Sequence, residues 1–273
     1  MTSGQPADWL VPDWPEPAGV RAVFTSRAGG QSVAPFDSMN LGDHVGDVAS
    51  AVAANRERLQ AVTGTRSVFM KQIHGTRVLS LSTDLGDGVE ADACVTTERD
   101  LACTVMVADC LPVLFCTADG QVVAAAHAGW RGLLGDGAGH AVLEATHAAV
   151  AARADGQQKI MAWLGPCIGP TAFEVGAEVK AAFVATQPGA EAFFVPHLQT
   201  DGKFFADLAG LARQRLAAIG GTGVYGNDSS AAWCTVLNGS RFFSHRRDAG
   251  VHVNGFGNGF GTTGRMAACI WRT

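Results

Sequence analysis

The chain has 273 residues, nearly half of them apolar, and a formal net charge of −5. That length admits a single α/β or β-rich domain with a core of ordinary size. The mildly acidic balance and the absence of any Lys/Arg run argue against a nucleic-acid binder and against a membrane-surface helix.

The N-terminus, Met-Thr-Ser-Gly-Gln-Pro-Ala-Asp-Trp, shows no basic segment leading into an apolar one. No apolar stretch approaches the roughly 20 residues that span a bilayer. The expectation is a cytoplasmic protein. The cysteines stand at 94, 103, 110, 116, 167, 234 and 269. Their odd number, without a secretion signal, argues against a disulfide framework. Cys94, Cys103, Cys116 and Cys269 sit in apolar runs and read as small buried hydrophobes. Cys167, in the rigid turn Gly165-Pro-Cys-Ile-Gly-Pro170, reads as packing rather than as a nucleophile.

Taken in order, residues 1–19 are Pro-rich and predict an extended arm docked through Trp9 and Trp14. Val20–Phe24 predicts a strand, Thr25–Gly30 a turn and Phe36–Gly46 a loop crowded with polar groups. Helical spacing predicts a helix over Ala49–Thr63. Strands are predicted at Ser67–Met70, Thr76–Ser80, Ala91–Thr96, 102–108, 112–117 and 121–127. An Ala-rich helix is predicted from Gly137 to Arg153, then a strand at Ile160–Leu164. Helices over Glu174–Thr186 and Leu208–Ile219 follow. The last predicted strands are Val224–Trp233, Arg241–Ser244 and Met266–Trp271, with a Gly-rich loop at 249–264. Strands and helices mix without a strict βαβ rhythm. That predicts a layered α/β or α+β sandwich rather than a classical Rossmann fold, and no composition break divides the chain.

Three residues could build a metal site. Cys110 and His127 each end an apolar, strand-like run, where a rigid sheet presents side chains to a cleft. His74 follows a third such run, in Lys71-Gln-Ile-His-Gly75. Two imidazoles and a thiolate form a zinc ligand set, and three protein ligands are the catalytic rather than the structural number. The structural alternative is a core cysteine and two ordinary polar histidines, because the spacing is non-local. Asp109 reads either as an acceptor orienting a ligand imidazole or as a turn residue. Arg131, in Ala128-Gly-Trp-Arg-Gly132, could bind an anion where a strand passes into a helix. Arg27 and Arg56 fit a phosphate site in the same way, with solvated surface arginines as the alternative. Phe242-Phe-Ser-His245-Arg-Arg247 is an aromatic and basic cluster suited to stacking a planar base.

These blocks resemble the YfiH-type laccase-domain family, whose members are also called polyphenol oxidase, purine nucleoside phosphorylase or peptidoglycan editing factor. The resemblance runs through Thr25–Gly30, Met39–Gly46, Asn55-Arg56, Gln72–Gly75, Ala91-Asp-Ala93 and Ala108-Asp-Cys-Leu-Pro-Val113. It continues through His127-Ala-Gly-Trp-Arg-Gly132, Gly165–Gly169, Phe173–Gly176, Phe242–Arg247 and Thr263–Met266. It implies a single α/β sandwich, shared with a class of cysteine hydrolases, spanning 1–273. It also implies zinc on His74, Cys110 and His127, which would be the catalytic centre. Substrate contacts would come from Arg27, Asn40, Arg56, Gln72, Arg131, His245 and Arg246. The implied partners are a small nucleoside and phosphate, with phosphorolysis of adenosine, inosine and methylthioadenosine and deamination of adenosine. Two departures touch the base-binding edge: His245 stands where the family often has Tyr, and 249–262 looks inserted. Copper is the less favoured metal. Eight histidines without a His-x-His pair cannot supply a trinuclear copper cluster. The alternative activities are a cysteine hydrolase or amidase acting on a peptidoglycan precursor, with Cys110 as nucleophile and His127 or His74 as base, or a polyphenol oxidase with copper.

Overall fold

The computed structural model describes residues 6, 8–136, 140–251 and 262–273. In chain order the elements are β1 (Val20–Phe24), α1 (Ala49–Thr63), β2 (Arg66–Val68), β3 (Val78–Ser80), β4 (Ala93–Thr96), β5 (Leu101–Val107) and β6 (Leu111–Thr117). There follow β7 (Val123–Ala128), α2 (Trp130–Leu134), α3 (Val142–Ala151), β8 (Ile160–Leu164), β9 (Glu174–Gly176) and α4 (Ala177–Thr186). The rest are β10 (Phe194–Pro196), β11 (Lys203–Ala206), α5 (Leu208–Ile219), β12 (Thr222–Gly226), α6 (His245–Val251) and β13 (Met266–Arg272).

Two sheets face each other. The smaller has the order β1-β13-β5-β2, the larger β12-β8-β6-β7-β4-β3. Successive side chains of a strand point to opposite faces, and here both faces are covered. Along β6, Leu114 and Cys116 face the space between the sheets, whereas Leu111, Val113 and Phe115 pack under the helices. Along β13, Met266, Ala268 and Ile270 face inward, while Ala267, Cys269 and Trp271 meet Met39, Leu41 and Leu59 of α1 and its preceding loop. This is why these strands read as unbroken apolar runs. Burying each large aliphatic or aromatic side chain contributes about 1.5–3 kcal/mol, which makes this double burial the main force holding the layers. The result is the α/β sandwich expected from the sequence. Trp9 and Trp14 are buried, and Leu10 bridges to Phe24, so the described part of the arm lies against the small sheet.

Local rules set several boundaries. Helix α1 ends at Gly64 in the left-handed region (φ 70°), whose N–H bonds Gln60 O. Helix α5 begins at Asp207, whose carboxylate accepts from Gly210 N at 2.8 Å.

Other expectations are corrected. Residues 174–176 are not helical, because they pair with β11. Strands β10 and β11 escaped the sequence reading, being short, carrying Pro196 and leaving Val195 exposed. The strand expected over 224–233 stops at Gly226, where Asn227 and Asp228 accept from Ser229 N and Ser230 N. No strand forms at 241–244. The N–H groups of Arg241 and Phe242 turn back onto Asn238 O. Helix α3 starts at Val142, later than expected, and 137–139 lie outside the described residues. Most of the 249–264 loop likewise lies outside them, preceded by α6.

Candidate metal centre and cavity

Topology brings three segments to one end of the large sheet. Strand β6 begins there after Cys110, β7 ends there with His127 and Ala128, and β4 begins there after Asp92. Antiparallel pairing of β4 with β7 sets Ala93 against Ala126, and His127 N donates to Asp92 O at 2.7 Å.

Asp92 organises the corner. Its side chain is fully buried, and a buried carboxylate needs hydrogen bonds to stay charged. Its Oδ1 accepts from His127 Nδ1 and from His74 N, both at 2.8 Å. Its Oδ2 accepts from Gly75 N at 2.7 Å and Ile73 N at 3.2 Å. One carboxylate thus orients the His127 ring, turning Nε2 toward the site, and clamps the 73–75 turn. His74 is held in that turn at φ 62°, a conformation that non-glycine residues adopt rarely and that the three amide bonds offset. Burial opposes ionisation of Asp92, but His127 and these amides outweigh it and hold the carboxyl below its usual range.

The donor atoms of His74, Cys110 and His127 all lie within 4.8 Å of one another. Cys110 Sγ is 3.7 Å from His74 Nε2. A tetrahedral zinc with ordinary Zn–S and Zn–N bonds sets sulfur and nitrogen about 3.6 Å apart, so the residues fit such an ion. Gly129 keeps the space clear, since a Cβ there would stand 2.7 Å from His74 Cδ2 and 3.1 Å from Cys110 Sγ. Burial raises the Cys110 thiol, but His127 and His74 overcome it and bring its pKa down to about 6. Burial lowers His127, and the Cys110 thiolate with Asp92 carries it up to about 9. The lowered thiol and the raised imidazole describe a thiolate–imidazolium pair, and a divalent metal taking both as ligands would displace the His127 Nε2 proton.

The three residues open onto a cavity of about 320 Å³. Its lining includes the apolar and aromatic side chains of Trp130, Ile168, Phe173 and Leu208 and the basic ones of His44, His245, Arg246 and Arg265. Gln72 lines it with its amide fixed, exchanging two 2.8 Å bonds with the backbone of Met106. Arg246 sits at the rim, its guanidinium on Ala172 O and Glu174 O and its N–H on Asp109 Oδ2.

The remaining candidates lie elsewhere. Arg27 binds Asp37 O and Gly239 O and covers the Phe243 ring. Arg56 binds Leu41 O and Asp43 and stacks on Phe69. Arg131 is exposed against the Trp130 ring. Asn40 is buried, accepting from Gly42 N and Arg265 N. None of these four lines the cavity. Phe242 and Phe243 are core residues, Phe242 edge-on to Phe24, so they cannot stack a base. Asp109 is a turn residue (φ 92°) whose carboxylate takes Thr235 Oγ1 and Arg246 N. The imidazole-orienting role falls to Asp92, which stood in the Ala91-Asp-Ala93 block without an assigned function. Its signal was a carboxylate inside an apolar strand. Arg265 was likewise passed over.

The family profile described as multi-copper polyphenol oxidoreductase laccase matches residues 21–273. The chain is 46% identical to the purine nucleoside phosphorylase YfiH of Escherichia coli (strain K12), over 96% of this chain and 98% of that protein. It is equally similar, with the same coverage, to the purine nucleoside phosphorylase PA4543 of Pseudomonas aeruginosa. Among solved structures, Neisseria meningitidis protein NMB0706 superposes with a TM-score of 0.83 at 44% identity, covering 97% of this chain and 99% of that one. YlmD from Geobacillus stearothermophilus gives 0.79 at 30% identity, with 98% and 97% covered.

Proposed function

The chain belongs to the family described as multi-copper polyphenol oxidoreductase laccase, and on that premise we propose that it is a zinc-dependent purine nucleoside phosphorylase. Adenosine, inosine and methylthioadenosine are its substrates, and adenosine deamination runs at the same site. The observation that carries this reading is the His74–Cys110–His127 set opening onto a cavity lined by both aromatic and basic side chains. About 320 Å³ is small but sufficient for a site of this kind, where typical ligand pockets start near 300 Å³. The names of the two relatives support the same reaction class.

The chemistry supplied by zinc held there is Lewis-acid polarisation of an oxygen and activation of water near neutral pH. The chain does the rest. Trp130 and Phe173 offer flat surfaces to a purine. Asp92 fixes the His127 tautomer, and Gln72 and Asp109 tie the cavity lining to the Met106 and Arg246 backbone. The donor set argues for zinc over the multi-copper chemistry in the family's description. Among the described residues only one three-donor group is formed, and a multi-copper cluster needs several. Metal analysis of the purified protein, with a phosphate-dependent assay for adenine and hypoxanthine release, tests the reading. Zinc near one per chain and phosphate-dependent release are expected, and absence of either sinks it.

One observation favours a second reading. Asp92, His127 and Cys110 form an acid–imidazole–thiol series like that of a cysteine hydrolase, with the Asp92–His127 bond at 2.8 Å. Amide hydrolysis, for example of a peptidoglycan precursor, that survives chelators but dies with iodoacetamide would establish it. Activity lost to chelation and restored by zinc would exclude it.

A further inference from the structure

Phosphorolysis requires a fixed cation for phosphate, and the arginines singled out from sequence do not reach the cavity. Arg27 and Arg56 are engaged by carbonyls and carboxylates, and Arg131 lies outside the wall. Arg265 differs on each count. It lines the cavity together with His44, Asp109 and Cys110, and its charge acts on all three. Its Nη1 donates to Thr263 O and Gly264 O, which fixes the guanidinium plane. Among the described residues no carboxylate pairs with it, and its Nε and Nη2 bond no side chain. Asp109, the nearby acid, is taken by Thr235 and Arg246 N.

The arginine is also built in. Asn40 Oδ1 accepts from Arg265 N at 2.8 Å and from Gly42 N at 2.9 Å, while Asn40 Nδ2 donates to Gly42 O and to Asp47. Leu41 N donates to Arg265 O. A Cβ on Gly42 would meet Arg265 Cγ at 2.8 Å, so a glycine is needed where the side chain crosses. A side chain whose backbone, stem and one nitrogen are all held, and which lines a cavity, is preorganised for an anion.

We infer that Arg265, positioned by Asn40 and Gly42, binds inorganic phosphate in the cavity, with His44 at its mouth. The inference rests on the phosphorolytic reading and names the residue that serves its second substrate. A phosphate oxygen bonds to ribose C1′ as the C1′–N9 bond breaks. The electron pair of that bond leaves with the purine, which ends with the proton lost by HPO4²⁻. Arg265 offsets one of the two charges on the attacking dianion and aims it. Asn40, expected from the resemblance to touch substrate, acts as a positioning residue instead.

The test compares wild-type protein with Arg265→Met and Arg265→Lys. Losing a charge-assisted pair costs roughly 10- to 100-fold. Arg265→Met is expected to raise the KM for phosphate by that factor, with the KM for inosine moving less than about threefold. Arg265→Lys keeps the stem and charge but not the fork, and should raise it roughly three- to tenfold. It serves alone if the methionine variant does not fold. Phosphate titration into the zinc-loaded protein without nucleoside, followed by calorimetry, should show the same loss of affinity. Unchanged phosphate KM and affinity in a folded variant overturn the inference. If the wild-type protein releases no base, the phosphorolytic reading falls. The calorimetric loss then still upholds Arg265 as the phosphate-binding residue, and equal binding by variant and wild type refutes it.

Discussion

Strand β6 carries a cysteine near each end, and the two are chemically opposite. Cys110, just before Leu111, has its pKa drawn down to about 6. Cys116, near the far end, is pushed up to about 12. Burial raises both thiols, so burial does not distinguish them. The neighbours do. Two imidazoles face Cys110, whereas Glu16 and Asp119 add negative charge around Cys116. One residue type at the two ends of one strand becomes a low-pKa thiol beside two imidazoles or an inert packing group according to which charges the fold brings to it.

The widest contrast should appear in alkylation of the metal-free protein. At pH 7 a thiol with a pKa near 6 is about nine-tenths thiolate, while one near 12 is about one part in 100,000. A lowered thiol pKa means that reactivity is present above pH 6 and lost as pH falls through it. Iodoacetamide labelling read by mass spectrometry should therefore mark Cys110 with a midpoint near pH 6 and leave Cys116 and Cys269 unmodified in the folded protein. A Cys110 midpoint near 9 would break the comparison.

The next effect is on function. Cys110→Ser or His127→Ala should reduce bound zinc to a trace and lower turnover by about a thousandfold or more, since a ligand is removed outright. Cys116→Ala should leave activity within about threefold and cost about 1 kcal/mol of stability, as for a small buried truncation. Zinc content and inosine phosphorolysis, measured on both, decide whether the two ends of β6 differ as described.

Asp92→Asn keeps the shape and removes the charge. Loss of such an imidazole-orienting acceptor typically weakens a metal by about 10- to 100-fold, measurable by competition with a chromophoric chelator. It should also change the acid limb of stability. The Asp92 carboxyl is lowered in the folded protein, so its stabilisation is complete above the unfolded value and is lost as pH falls through the folded one. The asparagine variant should lose that part of the acid dependence in thermal unfolding. If wild type and variant unfold in parallel from pH 7 to pH 3, Asp92 does not hold the corner.

The smallest effect concerns space. Gly129→Ala has an ordinary backbone (φ −65°), so only the new methyl matters, and it must push His74 or Cys110 aside. Zinc affinity should fall about tenfold, with a stability cost of about 1–3 kcal/mol from overpacking. Unaltered zinc affinity would mean that the corner is looser than its distances imply.

The convergence of His74, Cys110 and His127 was legible because apolar runs terminate on them, and strand ends are where sheets present chemistry. The layering was legible too, since β6, β7 and β13 are apolar on both faces. Asp92 was not assigned, because its partners His127 and 73–75 reach it only through the β4–β7 pairing and the turn it clamps. Arg265 was missed for the same reason: Asn40, which holds it, is 225 residues away. Phe242 and Phe243 were misread as a base-stacking surface, since an aromatic pair looks the same in sequence whether it lines a cleft or fills a core.

The sequence by itself determined which segments would be buried, because burial follows from the apolar character of each residue and its periodicity. It also determined that a thiol and two imidazoles stood at the ends of such segments. Only the tertiary structure decided which charge meets which. Hydrogen bonds and Coulomb attraction act over a few ångströms between residues far apart in the chain, so Cys110 rather than Cys116 has its thiol pKa drawn down, and Arg265 rather than Arg27 or Arg56 lines the cavity.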